Sequence, residues 1–267
     1  MRNFIVTGTD TEVGKTYVSC LIVKSLREAG INAAGFKPVA CGDRQDARLL
    51  REAGPKDLTL DELNPVFLRN ATCPYVAARL ENTKVDEKVI LRAYDALSAA
   101  HECVVVEGVG GWEVPIGPGR NFSDMAADFK LPVLLVIGNK LGAINHALLT
   151  LNAIKERGLE CLGIVFNNVK DEWDTACVTN RSMVEEFSDA PILGELIHGQ
   201  DYMDMDVLLE RLHCLEESVW RMNGTIPKTL VRYCRICGGK QRYGGISMSV
   251  LERMGKAFGF PVEKALF

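Results

Sequence analysis

Apolar residues along this chain fall in short runs separated by turn-forming residues, and the runs alternate between two periods. Phe4 to Val6 is brief and continuous, as in a strand buried on both faces, whereas Val18, Leu21, Ile22 and Leu26 within Thr16 to Ala29 recur at helical spacing. Asn32 to Pro38 reads as a second strand closed by proline, Val39 to Arg44 as a loop, and Asp46 to Ala53 as a helix. Cys103 to Val106 is a β-branched run that ends at a glycine-rich turn, Glu107-Gly108-Val109-Gly110-Gly111. Pro132 to Ile137 is another buried strand, followed by a turn from Gly138 to Gly142 and a helix from about Ile144 to Arg157. Leu162 to Phe166 is one more strand, ending in Asn167-Asn168, and Pro191 to Leu196 is a short last one.

Strands alternating with helices predict an α/β fold, a mostly parallel central sheet with helices on both faces. Ligands of such sheets collect at the carboxyl ends of the strands. The candidate polar groups fall there: Gly8 to Thr16, Lys37, Glu107 and Asn167.

Gly8-Thr9-Asp10-Thr11-Glu12-Val13-Gly14-Lys15-Thr16 fits G-x-x-x-x-G-K-[ST] between a strand and a helix, which makes the sheet one of the P-loop NTPase type. Glycines at both ends let backbone N–H groups turn inward around an anion, Lys15 reaches the β- and γ-phosphates, and the Thr16 hydroxyl reaches Mg²⁺. The helix N-terminus adds its positive end. Magnesium held with a triphosphate takes one or two carboxylates as well, and Asp46 and Glu107 supply them. Glu107 follows an apolar strand and needs a partner such as a cation, or else caps a turn. Asp46 has an equally plain explanation as an acid in the first turn of a helix.

The chain has 267 residues, enough for one large α/β domain and an appendage. The domain is assigned to residues 1–220 and a short C-terminal extension to 221–267, because charge divides there. Residues 1–220 carry 22 Lys and Arg against 33 Asp and Glu, and residues 221–267 carry nine against two. An acidic body argues against nucleic acid as a partner, and only the basic extension leaves room for nucleic acid or a docking partner. No apolar run approaches the roughly 18 residues needed to cross a bilayer, and no signal-peptide pattern precedes the first strand, so a cytoplasmic protein without membrane attachment is expected. Nine cysteines without framework spacing read as reduced thiols.

Beyond these local signals, the chain resembles the dethiobiotin synthases, ATP-dependent ligases of biotin synthesis. The resemblance lies in GTDTEVGKT (Gly8 to Thr16), GFKPVACG (Gly35 to Gly42), QDA (Gln45 to Ala47), VEGVGGW (Val106 to Trp112), KLGAINHALLT (Lys140 to Thr150) and FNNV (Phe166 to Val169), and it spans about residues 1–197. It implies a homodimeric, Mg²⁺-dependent enzyme that joins 7,8-diaminononanoate and CO₂ (or bicarbonate) at the expense of ATP. A carbamate of the diamine takes the γ-phosphoryl group, and the mixed anhydride closes to a ureido ring. Lys15 and Lys37 would be catalytic, with Thr16, Asp46 and Glu107 around the metal. The nucleotide would lie against Glu12, Val13, Gly14, Lys15, Thr16, Tyr17, Gly108, Val109 and Gly110, with Asn167 and Asn168 at the adenine. Thr11, Lys37 and Cys41 would face the substrate, and Gly142, Ala143, Ile144 and Asn145, at a helix N-terminus, would take its carboxylate from the neighbouring subunit.

The pattern departs from the family in three places. Cys41 stands where the family has serine, and a thiol is a weaker hydrogen-bond donor. Ile197-His198 stands where a Pro-Trp pair lines the nucleotide pocket. Residues 221–267 have no counterpart. Cys234-x-x-Cys237 there lacks a second ligand pair for zinc and reads as ordinary thiols, and Ser249 to Phe258 reads as an amphipathic helix. His146 reads as a residue that fixes its loop rather than as a base. The competing function is a partitioning or regulatory P-loop ATPase that acts through a protein partner. Such ATPases carry an additional lysine early in the loop, where this chain has Thr9, and a guanine switch would need an aspartate that Asn139-Lys140-Leu141-Gly142 lacks.

Overall fold

The computed structural model describes residues 2–213 and, beyond them, two short strands, Arg242–Tyr243 and Ile246–Ser247, paired antiparallel. The chain runs β1 (Phe4–Gly8), α1 (Lys15–Glu28), β2 (Ala33–Phe36), β3 (Val39–Cys41), α2 (Gln45–Ala53), α3 (Leu60–Leu63), β4 (Val66–Leu68), α4 (Pro74–Leu80), α5 (Glu87–Ala100) and β5 (Cys103–Glu107). It continues through β6 (Pro115–Gly117), β7 (Arg120–Asn121), α6 (Phe122–Phe129), β8 (Val133–Gly138), α7 (Ala143–Glu156), β9 (Cys161–Asn167), α8 (Thr175–Phe187), β10 (Ile192–Leu196) and α9 (Asp206–His213).

Every residue of β1, β5 and β8 is buried, which is what an apolar run without alternation requires of the middle of a parallel sheet. Six strands pair in the order β10-β9-β8-β1-β5-β2, all parallel. Side chains leave successive strand positions on opposite faces. Phe4, Val6, Cys103 and Val105 therefore join α1 and α9 in one core, through Ile22, Leu26 and Leu208. Ile5, Val104 and Val106 face the other way, into a core built with α5 and α6 through Ile90, Met125 and Phe129. Each fully buried large side chain in these layers contributes about 1.5–3 kcal/mol by leaving water. The six-stranded sheet and its two helical layers are the architecture the hydrophobic pattern predicts.

Register carries the site. Val6 lies opposite Glu107 and Gly8 opposite Val136, so the segment between β1 and α1 leaves the sheet at the level where β5 ends. Phe36 lies opposite Val106, which sets the next residues, Lys37 and Glu107, side by side. Gly138 and Leu196 both lie level with Asn167.

The structure corrects the loop expected over Val39 to Arg44. Its first three residues form β3, which pairs in parallel with β4 from Val39↔Val66 to Cys41↔Leu68. β2 is shorter than the strand expected over Asn32 to Pro38, stopping at Phe36, and β3 pairs with a distant segment that local periodicity does not reveal. Between Gly54 and Glu102 the apolar pattern assigns no element, and the structure has three helices there. The four residues of α3 start at a capping box between Thr59 and Glu62, α4 begins with Pro74 at its first turn, and the Asp86 carboxylate accepts from the N–H groups of Lys88 and Val89 at the start of α5. The hairpin β6–β7, α6, α8 and α9 also go unassigned by pattern. Cys234, Cys237, the helix expected over Ser249 to Phe258 and the domain boundary at 220 lie outside the described residues.

Candidate active site at the carboxyl edge of the sheet

The loop between β1 and α1 is held open by its own backbone. Gly14, at φ +91°, is the N-cap of α1 and no side chain caps that helix, nor does its first turn contain an acid. The first turn thus presents bare N–H groups and an uncompensated dipole, the requirements for an anion. Glu12 takes a left-handed conformation at φ 61°, a costly choice for a side chain with a Cβ and common at functional loops. The Lys15 ammonium turns back and donates to the Asp10 carbonyl at 2.8 Å. Asp10 is a contact the motif does not reveal, because it is made through the backbone.

Lys37 does not reach for solvent. It is 3% exposed, and its Nζ spends all three donors inside, on Asp46 Oδ2 at 2.6 Å, Glu107 Oε1 at 2.7 Å and the Gly108 carbonyl at 3.0 Å. Glu107 is 0% exposed. Its Oε1 also accepts from the Thr16 hydroxyl at 2.7 Å, while its Oε2 is buried and finds no hydrogen-bond partner among the described residues. A buried carboxylate oxygen without a donor is expensive, and a bound cation could satisfy it. Thr16, bonded to the other oxygen of Glu107, and the partly exposed Asp46, paired with Lys37, add hard oxygen donors to the same cluster, the chemistry that suits Mg²⁺. Thr16, Asp46 and Glu107 therefore fit the metal that the motif implies.

Charge states follow from the same packing. Burial works to lower Lys37, but Glu107 and Asp46 outweigh it and hold the amine above the usual lysine value, as an ammonium. Burial works to raise Asp46, and the Lys37 ammonium overrides this to keep its carboxyl below the usual value. Glu107 is pushed up by burial against the pull of Lys37. Lys15 has no such carboxylate in contact, so burial and the neighbouring Lys37 charge bring it down to about 8.

These groups line a cavity of about 670 Å³. Thr11, Glu12, Gly14, Cys41, Val109 and Gly110 lie on its walls with them. The sequence pattern misses another part of the wall, Ala71 to Pro74 with Asp43 and Val114. The only local signal for that wall is the proline that opens α4. Gly108 lends its carbonyl to Lys37, and a Cβ on it would stand 2.8 Å from the Phe122 ring. Burial pushes the Cys41 thiol up to about 11, with Cys73 nearby adding to the shift. Among the described residues Cys20, Cys41, Cys73, Cys103, Cys161 and Cys177 are free.

Other expected residues stand apart from this cavity. Asn167 sits beneath the loop, its Nδ2 donating to the Val13 carbonyl at 2.9 Å, and Asn168 donates to the Leu196 carbonyl at 3.0 Å. Tyr17 packs against the core layer of α1, with its hydroxyl buried and without a partner among the described residues. Ile197 is exposed, and His198 Nδ1 donates to the Val169 carbonyl. Gly142, at φ +89°, is the uncapped N-cap of α7, with Ala143, Ile144 and Asn145 in its first turn. The turn before it, Gly138 to Lys140, lines a second cavity of about 730 Å³ that shares Thr11 and Glu12 with the first. His146 is a turn of α7 whose N–H bonds back to the Gly142 carbonyl and whose carbonyl accepts from Thr150. Both contacts are made by its main chain, as at any position of a helix.

Comparison with known proteins adds a family. A family model described as an AAA domain matches residues 2–205. An ATP-dependent dethiobiotin synthetase BioD of Aromatoleum aromaticum is 40% identical over 205 residues, which cover 74% of this chain and 91% of that protein. The protein of the same name from Aliivibrio salmonicida is 37% identical over 223 residues, 78% of this chain and 98% of its own length. Among solved structures, the MinC:MinD cell division protein complex of Aquifex aeolicus aligns at a TM-score of 0.48 and 15% identity, over 85% of this chain and 98% of that one. No helix among the described residues is long and apolar enough to cross a membrane.

Proposed function

Because the chain belongs to the ATP-dependent dethiobiotin synthetase family, we propose that it closes the ureido ring of dethiobiotin from 7,8-diaminononanoate and CO₂, with the cluster around Lys37 as its reaction centre. The observation that carries this reading is the buried ammonium of Lys37 between two carboxylates, in the same cavity as the loop lysine Lys15.

The loop N–H groups and Lys15 hold the β- and γ-phosphates. Lys37 already uses three donors, so it meets the substrate by exchanging one partner, and Asp46, the more exposed of its carboxylates at 41%, is the one to give way. A carbamate oxygen of the diamine then attacks the γ-phosphorus and expels ADP. The second amine attacks the carbamoyl carbon of the resulting anhydride, loses a proton and expels phosphate as the ring closes. Phosphoryl transfer depends on placement and charge stabilisation more than on a strong base, which suits a site with two ammoniums. Mg²⁺, held by Thr16, Asp46 and Glu107, would neutralise phosphate charge.

Asn167 and Asn168 belong to the adenine side of this reading, as do Glu12, Val13 and Tyr17 along the loop and helix. Gly142 to Asn145 take the substrate carboxylate of a second subunit in a homodimer; their bare helix end lies outside the Lys37 cavity, beside the exposed Leu141. The free thiols accord with the cytoplasm as location. The test is ADP release measured with and without the diamine and bicarbonate. Release that needs both supports the ligase; release indifferent to both overturns it in favour of an ATPase that works on a protein partner.

Two further outcomes are expected. Lys15 is ionised only below about 8 in the free protein, and bound phosphate favours its charged form. ATP binding above pH 8 therefore takes up a proton, and affinity should fall by up to about tenfold per pH unit there. Titration calorimetry between pH 7 and 9.5, in buffers of different ionisation enthalpy, reads both effects; a flat profile contradicts the assignment. Cys41, neutral at physiological pH and a weak donor, should be replaceable by serine with turnover kept within about twofold or improved, since a hydroxyl donates better. A large loss in Cys41→Ser would show that the sulfur itself is required.

A further inference from the structure

The segment that holds Lys37 in place lies far from it in sequence. Lys37 directly follows the last residue of β2, and neither of its backbone polar groups bonds to the main sheet. Its N–H donates to the Leu63 carbonyl at 2.7 Å, and its carbonyl accepts from Asn64 Nδ2 at 2.9 Å. Asn64 is 1% exposed and fully used: Nδ2 also donates to the Val66 carbonyl at 3.0 Å, and Oδ1 accepts from Arg44 Nε at 3.0 Å. Two carbonyls on one side and a guanidinium on the other leave one orientation of the amide.

Arg44 is equally committed. Its Nη2 donates to the carbonyls of Leu60 at 2.6 Å and Asn64 at 2.8 Å, its Nη1 to Asp61 Oδ1 at 2.7 Å, and its guanidinium lies 5.7 Å from the centre of the Phe67 ring. A cation so engaged has little left for a phosphate. Arg44 is also the N-cap residue of α2, and Asp46 sits in the first turn of that helix. The contacts close a ring: Lys37 backbone to Asn64, Asn64 to Arg44, Arg44 along two residues to Asp46, and Asp46 back to Lys37 Nζ.

We infer that Asn64 and Arg44 are positioning residues for the reaction, a latch that sets the backbone of Lys37 and the start of α2 at one spacing so that the ammonium meets the transferring phosphoryl in register while Asp46 stays within reach of the metal. The inference rests on the role given to Lys37 above. Neither residue touches substrate; both act through Lys37 and Asp46. A displacement of about 1 Å at a reacting group costs about 10²-fold in rate, and this ring is what resists such a displacement.

The test compares Asn64→Leu, Arg44→Lys and Lys37→Met with the parent enzyme, reading diamine-dependent ADP release at saturating substrates, KM for ATP and the melting temperature. Asn64→Leu keeps the branched heavy-atom shape and removes every bond of the amide; its kcat per folded molecule should fall about 10²-fold while KM for ATP moves less than about threefold. Arg44→Lys keeps the charge and loses the fork, and should lose about tenfold in kcat. In a Lys37→Met background, adding Asn64→Leu should cost no further rate, because the latch has nothing left to position. A purely structural role would lower the melting temperature and leave kcat per folded molecule unchanged, and that result overturns the inference. If Asn64→Leu does not fold, Arg44→Lys decides alone, and a kcat within twofold of the parent rejects the latch. Normal turnover in Lys37→Met would instead reject the role of Lys37, which separates that failure from this one.

Discussion

Lys37→Met is expected to lower diamine-dependent turnover by about 10³-fold while changing ATP affinity by less than about threefold. The ammonium sits at the meeting point of Glu107, Asp46 and the Gly108 carbonyl, where, in the function proposed, it stabilises charge that moves during phosphoryl transfer. Single donors and cations placed in this way are worth about 10²–10⁵ in rate. In the same proposal ATP is gripped elsewhere, by the loop N–H groups and Lys15, so binding should persist. Removing the ammonium also leaves Glu107 buried without its counter-ion, at a cost of about 3–5 kcal/mol when one partner of a buried pair is lost. Lys37→Gln, which keeps a hydrogen-bond donor, should be more stable and almost as slow. Steady-state ADP release, equilibrium ATP binding and thermal unfolding measured on both variants separate the effects. Turnover within tenfold of the parent in a folded Lys37→Gln enzyme would remove Lys37 from the mechanism.

Gly14→Ala should abolish measurable nucleotide binding and destabilise the fold by about 2–5 kcal/mol. Two costs add. At φ +91° an alanine pays about 1–2 kcal/mol for the left-handed conformation. Its Cβ would also stand 2.1 Å from Asn167 Nδ2, and Asn167 cannot retreat without breaking its buried bond to the Val13 carbonyl, worth about 1–3 kcal/mol if left unmade. Either escape moves the loop, and the N–H groups that should converge on phosphate then diverge. Denaturant unfolding and ATP titration check the two halves of this expectation. An alanine variant that binds ATP within tenfold of the parent would show that the loop grips phosphate by some other geometry. The same contact explains why Asn167 matters even before any adenine is considered, since it is the wedge on which the loop rests.

Much of the fold could be read from the chain because its centre is governed by local rules. The apolar runs at Phe4 to Val6, Cys103 to Val106, Pro132 to Ile137 and Leu162 to Phe166 are too short and too unbroken for anything but interior strands, and all four lie side by side in one parallel sheet. The helical spacing after Gly14 and after Gly142 marked α1 and α7 to within a residue or two. In the cavity, Lys15, Thr16 and Glu107 were visible because each belongs to a turn whose chemistry is contained in consecutive residues. Lys37 was visible as a lysine at a strand end. Its burial was not, because a lone lysine in sequence shows neither the carboxylates that will neutralise it nor the Gly108 carbonyl that accepts its third hydrogen bond.

What the linear order determined by itself is therefore the set of elements around the phosphate loop and the residue types available at the carboxyl edge of the sheet, since strand and helix periods, glycine conformations and the loop motif all act within a few positions of one another. Only the tertiary structure decided how those residues meet. The partnership of β3 with β4, the wall from Ala71 to Pro74, the salt bridges from Lys37 to Asp46 and Glu107, and the latch through Asn64 and Arg44 all join segments brought together by strand register and packing. Such contacts depend on the burial that first excludes water from between them, and burial is a property of the whole fold.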